Sequence, residues 1–250
     1  MADPNLMQKF YPETCAGGYS SVDGTVEFYG RVNALLDPEM TVLDYGAGRG
    51  AWYLDDPVDY RKNIRLLKGK VKKVVACDVD PVVRDNPAAD ECFVIDPDGR
   101  LPFDDGAFDL IVSDVTLEHV QNPEHVSAEL ARVLKPGGWI CARTANRYGY
   151  VALAASLVPN RKHVSVLKHI QPKRKGIDVF PTAYRMNTAR AIRKLFPSDR
   201  FDAFIYTVNA EPAYAGNSTL LWRLFLLIHR LTPGWLATSL NLFLRKKPVG

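Results

Sequence analysis

The sequence predicts an α/β fold: a doubly wound, mostly parallel sheet with helices on both faces. Three observations carry this reading. Five short apolar runs between residues 41 and 143 alternate with segments of helical length. Each run is apolar on consecutive residues, as strands covered on two faces require. A glycine-rich turn, Gly46-Ala47-Gly48-Arg49-Gly50, follows the first run directly. On an open parallel sheet, that is where a ligand approaches the strand ends.

The elements follow in order. Residues 1–20 are rich in Gly, Pro and Tyr and read as an arm or lid. Apolar residues at helical spacing (Val22, Val26, Tyr29, Val32, Leu36) predict a helix that Asp37-Pro38 ends. Thr41 to Asp44 is the first strand, and Asp55-Asp56-Pro57 shortens the helix expected after it. Val71 to Cys77 is the second strand, ending at Asp78-Val79-Asp80, with a weak helix at Pro81 to Asp85. Cys92 to Ile95, Phe108 to Ser113 and Trp139 to Arg143 are the next three strands. The helix Pro123 to Leu134 is stopped by Lys135-Pro136-Gly137-Gly138. Beyond 145, Tyr148 to Val158 and Thr188 to Phe196 read as helices, and Phe201 to Val208 and Asn241 to Leu244 as strands. Between these strands lies an apolar helix, Ser218 to Leu231. The expected organisation is an N-terminal arm and helix (1–40), a core (41–145) and insertions that complete the sheet (146–250), all in one domain.

A chain of 250 residues, 47% apolar, can bury a core without disulfides or a structural metal. Cys15, Cys77, Cys92 and Cys141 form no C-x-x-C pair, and the N-terminus shows no basic-then-apolar signal. Reduced thiols in a cytoplasmic protein are expected. The longest apolar stretch, Leu220 to Leu231, is too short for a membrane span and is broken by Arg223, His229 and Arg230. The net charge of +4 conceals an asymmetry: residues 1–142 carry 14 Lys/Arg against 24 Asp/Glu, residues 143–250 carry 18 against 4. The two halves are expected to face different partners.

The turn after the first strand has glycines at G-x-G-x-G spacing, preceded by Asp44. It is neither the G-x-G-x-x-G of a dinucleotide site nor the Gly-Lys-Ser/Thr of a triphosphate cradle. Glycine there lets the backbone turn sharply and a ligand come close. Asp78, ending the second strand, can accept hydrogen bonds from both hydroxyls of a ribose; the plainer alternative is a helix cap. Asp96 and Asp98, after the third strand, can receive an adenine amine or simply shape a polar turn.

VLDYGAGRG at 42–50 and ACDVD at 76–80 resemble the first two motifs of Rossmann-fold S-adenosylmethionine methyltransferases. LPFDDGAFDLIVSDVTLEHV at 101–120 and ELARVLKPGGWI at 129–140 resemble their small-molecule, glycan and quinone branch. The resemblance implies a Rossmann-like seven-stranded sheet ending in an antiparallel hairpin, with S-adenosylmethionine as cofactor. Asp44 and Gly46, Ala47, Gly48 and Gly50 would hold its methionine end, Asp78 its ribose and Val79 its adenine. Asp96 or Asp98 would reach the adenine amine. Ser113 and Asp114 would line the methyl donor's side, Asp114 also being a catalytic candidate.

The expected activity is O-methylation of a small-molecule, glycan or lipid-linked acceptor. Methyl transfer from a sulfonium needs donor and nucleophile held in line and, for a hydroxyl, a base. His119, just past the fourth strand, is the base candidate, with structural packing as the alternative. Glu118-His119 resembles part of an E-x-x-E-H metal motif, but Val115 stands at its first Glu, so no essential metal is expected. An anionic acceptor is expected from residues 160–175, which hold six Lys/Arg and no acid. Arg161, Lys162, Lys173, Arg174, Tyr184 and Arg185 are its candidate contacts. The helix 220–231 offers a peripheral membrane contact. N-methylation is the rival activity, though no Asn/Asp-Pro-Pro-Tyr follows the fourth strand. RNA methylation is disfavoured because the basic residues sit in no recognisable RNA-binding motif. A catalytically silent module is the rival of another class, against which the intact glycine loop stands.

Overall fold

A computed structural model describes residues 4–150, 152–153, 181–212 and 215–248. Its centre is a seven-stranded sheet: β1 (Thr41–Tyr45), β2 (Lys73–Asp78), β3 (Glu91–Val94), β4 (Phe108–Asp114), β5 (Leu134–Ala145), β6 (Phe201–Val208) and β7 (Ser239–Lys246). The spatial order is β3-β2-β1-β4-β5-β7-β6, parallel except that β7 runs antiparallel to both β5 and β6. The expected seven strands and antiparallel end are all present.

The helices among the described residues are α1 (Pro4–Phe10), α2 (Gly24–Ala34), α3 (Ala51–Asp55), α4 (Asp59–Arg65), α5 (Pro123–Val133), α6 (Ala189–Leu195) and α7 (Thr219–Leu231). The starts of α2, α5, α6 and α7 are set by short polar caps that take up orphan backbone N–H groups. Asp23 accepts from Thr25 and Val26 at 2.9 and 3.0 Å, Thr188 from Ala191 at 3.1 Å, and Ser218 from Leu221 at 3.3 Å. Asn122 caps α5 just ahead of Pro123, whose fixed φ suits a first turn. Pro57 divides the first crossover into α3 and α4, and Asp56 caps the break by accepting from Val58 at 2.9 Å. The expected helix at 81–85 is a 3₁₀ turn. Most of the helix expected at 148–158 lies outside the described residues.

Neighbouring strand residues point to opposite faces, so the sheet feeds two cores. Leu43, Ile111 and Ile140 pack with Leu130 of α5 and Ile192 of α6. Val42, Leu110, Val112 and Cys141 pack on the other face with Phe28, Tyr29 and Val32 of α2. A small third cluster joins Leu6 of α1 to Trp222 of α7. The arm expected as a lid therefore has its first helix against α7, while Tyr19 stacks on Tyr60 of α4 at 4.8 Å.

Most strand ends differ from expectation by one or two residues, and the start of β5 by more. β5 begins at Leu134, not Trp139, because Leu134 pairs with Phe108 before the register shifts. Gly137 has φ +81°, and a side chain at Gly138 would press on the Asp109 carbonyl. The Pro-Gly-Gly stretch is thus an irregularity inside the strand.

Candidate active site

The strand order reverses at β1, which lies between β2 and β4, and this opens a crevice beyond the C-terminal strand ends. The 46–50 loop fills one side of it. Gly46, Gly48 and Gly50 have φ of +78°, +53° and +69°, the left-handed region that strains any residue with a Cβ. Their surroundings differ. A Cβ at Gly46 would overlap the Thr116 side chain, and one at Gly50 would crowd Asn86. At Gly48 the space is open, so close approach to that backbone remains for something outside the chain. Asn86 braces the loop by donating to the carbonyl of Gly48 at 3.1 Å, while its own carbonyl accepts from Ala88 at 2.9 Å.

Asp78 stands at the end of β2 as expected. One of its oxygens accepts from Gly48 N at 2.8 Å, the other from Asp80 N at 2.9 Å. Each oxygen keeps a second lone pair. Val79 next to it is 45% exposed, an apolar surface left at the crevice. Ala47 packs against the sheet core below the loop. Asp96 and Asp98 are both exposed; Asp96 accepts from Asp98 N at 3.0 Å and lines a small hollow with Tyr45, Leu101 and His125. Asp98 does not line it.

Asp44 lines a second hollow with Tyr29, Trp52 and Arg65. Burial pushes its carboxyl up to about 7; Arg65 opposes this, and Asp114 and Asp78 add to it. Ser113 is fully buried, and its hydroxyl has no hydrogen-bond partner among the described residues.

Asp114 is held by two guanidiniums, an arrangement the sequence reading missed. Arg143, from β5, binds it in fork geometry, Nε and Nη2 each 2.8 Å from a carboxylate oxygen. Arg65, from α4, adds a contact at 3.0 Å and lies 4.8 Å from the Trp52 ring centre and 5.2 Å from that of Tyr29. Burial would raise the Asp114 carboxyl, but Arg143 and Arg65 outweigh it and hold it below the usual range. Arg65 Nε is buried and has no hydrogen-bond partner among the described residues. The available signal was Arg143 itself, a charge closing an apolar strand; nothing in the sequence paired it with Asp114.

After β4 the backbone turns at Val115, whose φ of +60° is strained for a β-branched residue. The turn brings Thr116 Oγ1 to 3.3 Å from the Gly46 carbonyl, so the loops after β1 and β4 close on each other. His119 follows in a 3₁₀ turn. Its Nδ1 is 2.8 Å from the Pro181 carbonyl, which can only accept, so Nδ1 carries the proton and Nε2 is the basic nitrogen of the neutral ring. Glu118 is buried beneath, accepting from Thr144 Oγ1 at 2.7 Å, and Asn187 donates to that hydroxyl at 2.7 Å. Burial raises the Glu118 carboxyl above its ordinary value.

Of the expected acceptor contacts, Tyr184 and Arg185 reach the same loop. Tyr184 N donates to the Glu118 carbonyl at 3.1 Å, and Arg185 to that of Gln121 at 2.6 Å. Arg161, Lys162, Lys173 and Arg174 lie outside the described residues. Among those described, no group of three or more His, Cys, Asp or Glu side chains is placed to hold a metal ion, and no helix is long and apolar enough to cross a membrane.

Residues 60–142 match a family described as "Methyltransferase domain". The match starts within α4, so the glycine loop lies outside it. An uncharacterised methyltransferase of Schizosaccharomyces pombe is 29% identical over 132 residues, covering 53% of this chain and 44% of that protein. Norajmaline N-methyltransferase of Rauvolfia serpentina is 30% identical over 150 residues, covering 58% and 48%. The matched stretch thus spans less than half of either relative's length. Among solved structures, a SAM-dependent methyltransferase of Methanosarcina mazei superposes with a TM-score of 0.53 at 17% identity, covering 88% of this chain and 98% of that one. Residues 60–142 are thus similar to a methyltransferase domain, and the seven-stranded sheet that contains them has the Rossmann-like α/β fold shared with the Methanosarcina mazei structure.

Proposed function

We propose that the chain is an S-adenosylmethionine-dependent methyltransferase that O-methylates an anionic small-molecule, glycan or lipid-linked acceptor. The observation that carries the reading is the 46–50 loop. Three left-handed glycines turn it, and Gly48 alone is open outward, tied to the carboxylate that ends β2. The residues around it fit the cofactor. Asp78 has lone pairs left for ribose hydroxyls, and Val79 offers an exposed apolar side for adenine. Asp96 or Asp98 supplies the acid for the adenine amine; Asp96, lining the hollow beside Tyr45, is the better placed. Arg65 Nε is a buried donor without a partner among the described residues, suited to a carboxylate such as the methionine end's, and Asp44 beside it suits an ammonium. When bound, the cofactor supplies an already activated methyl group.

The chain then has two tasks. Asp114 clamps Arg65 and Arg143 and so fixes the floor of the crevice; held low by two cations, it is a positioning residue rather than a proton acceptor. His119 takes the acceptor hydroxyl's proton on Nε2, oriented by the Nδ1–H bond to Pro181. The acceptor's negative charge is read by Arg185 and Tyr184 together with Arg161, Lys162, Lys173 and Arg174. The charge of the 143–250 half supports this.

Titration calorimetry tests the cofactor reading. Wild type should bind S-adenosylmethionine and its demethylated product, and Gly48→Val should lose both, because valine strains the turn and fills the open side. Wild-type protein that takes up neither overturns the assignment. The likeness to norajmaline N-methyltransferase supports a second reading, a nitrogen acceptor. Methylation of an amine substrate that persists in His119→Ala would favour it.

A further inference from the structure

Helix α7 is apolar on two sides, where a surface helix packed on a domain needs one. Its inner side is used. Trp222 is fully buried and stacks on Phe10 of α1 at 5.6 Å, and Phe225 stacks on Tyr150 at 5.3 Å. Its outer side carries Leu220, Leu224, Leu227 and Leu231, spaced about one turn apart and between 47% and 75% exposed. Just beyond the helix, Trp235 is 63% exposed in the turn Gly234–Leu236. Isolated exposed leucines are ordinary; a continuous ridge ending in a tryptophan marks a surface that something covers.

The charges around the ridge select the occupant. Arg223 and Arg230, seven residues apart, run along one flank of it, both exposed. No Asp or Glu occurs anywhere from 212 to 250. Two copies of this chain meeting ridge to ridge would set arginine against arginine with no acid on α7 to offset them. An anionic bilayer offers the complement: acyl chains for the leucines, headgroup charge for the arginines, and an interface where tryptophan is favoured. With 13 residues the helix is about 20 Å long, short of the roughly 30 Å hydrocarbon core, so it lies in the surface and does not cross it.

The ridge is also tied to the crevice. Asn146, the first residue after β5, donates to the carbonyls of Trp235 at 2.9 Å and Ala237 at 2.7 Å. Tyr150 Oη lies 3.0 Å from His229 Nε2 of α7. The helix and its tryptophan turn are therefore fastened to the C-terminal end of β5, the sheet end where the glycine loop sits. We infer that α7 and Trp235 seat the protein on an anionic lipid surface, with the strand-end crevice held next to it.

The test uses the full chain and reads lipid binding, independent of methyl transfer. The protein is sedimented with phosphatidylcholine vesicles, with and without about one-third phosphatidylglycerol, and its mass in solution is measured without lipid. Expected are a monomer without lipid and binding to the phosphatidylglycerol vesicles, with a blue shift of tryptophan emission that Trp235→Phe reduces. The double variant Leu224→Ser/Leu227→Ser should lower partitioning on the order of tenfold or more while unfolding at the wild-type temperature, since both side chains are already exposed. Arg223→Gln/Arg230→Gln should weaken binding several-fold, and added salt should shrink that difference. The proposal is overturned by absent binding to anionic vesicles, by equal binding to neutral ones, or by binding that the leucine variant leaves unchanged. A dimer that the leucine variant splits assigns the ridge to a second copy and overturns it equally.

Discussion

The parallel half of the sheet, β1 to β4, and the half built by β5, β7 and β6 handle charge in opposite ways. In the first, charge is carried inward. Asp44, Asp78 and Asp114 stand at strand ends, facing the crevice or clamped by guanidiniums. In the second, apart from Arg143 of β5, which reaches back to Asp114, the charges on α7 stay outside: Arg223 and Arg230 flank an exposed apolar ridge with no acid near them in sequence. A buried charge needs a partner chosen by the fold, whereas an exposed one awaits a partner from outside. The contrast teaches where mutations should damage the molecule and where they should only retune it.

The largest effect should come from breaking the inward side. Asp114→Ala leaves Arg65 and Arg143 without their shared carboxylate, and the loss of one partner from a buried pair costs about 3–5 kcal/mol. Chemical denaturation should show it; a change within experimental error would mean that water already compensates the clamp. Next comes His119→Ala. If Nε2 is the base, kcat falls by about 10²–10⁴ with cofactor affinity near normal, and an unchanged kcat demotes His119 to a structural role. Asp78→Ala should weaken cofactor binding by about 1–3 kcal/mol, the worth of lost hydrogen bonds to a carboxylate. If affinity is unaltered, the end of β2 is not the ribose site.

Asp44 sharpens the comparison through pH. Its carboxyl, pushed up to about 7 in the folded protein, keeps a proton that the unfolded chain has already lost. Its contribution to stability is therefore largest at low pH and is lost as pH rises through about 7. Binding of a cationic ammonium runs the other way, so cofactor affinity should increase over the same interval. Asp44→Asn should flatten both dependences, and retention of either would assign it to another group. The smallest effect belongs to the basic 160–175 segment. Lys173→Gln/Arg174→Gln/Lys175→Gln should raise KM for an anionic acceptor by several-fold at most and reduce its salt sensitivity, because charge pairs open to solvent are worth little and are screened within about 8–10 Å. Cofactor affinity serves as the control.

Legibility follows the same division. β1, β2 and β4 were readable because burial on two faces leaves a mark in composition alone, and the partly buried edge strand β6 was readable to its end residues from its aromatic and β-branched content. Helix starts were readable where Thr188 and Ser218 cap, because the capping oxygen and its N–H are close in sequence. The Asp114 clamp was not, because its partners lie 49 residues before and 29 after, joined only by the crossover of α4 and the pairing of β4 with β5. Asn86 was missed for the same reason: it braces a loop 38 residues upstream. The start of β5 was misplaced because Pro-Gly-Gly signals a stop, and only the bridge from Leu134 to Phe108 shows that pairing has begun before it.

The position of β7 has a consequence for how this chain acquires its shape. β6 occupies the sheet edge and pairs with β7 alone, yet β7 comes some thirty residues later in the sequence. During synthesis, β5 therefore presents an open strand edge from the time it docks on β4 until residues 239–246 emerge. Throughout that interval the finished parallel half is a template for pairing with another chain. Closing the edge also completes contacts across the greatest sequence distances, such as Asn241 to Glu27, 214 residues apart. Such distant contacts slow folding, because the intervening chain must be ordered before they reward it. Aggregation during expression should accordingly depend on how quickly β7 reaches its slot.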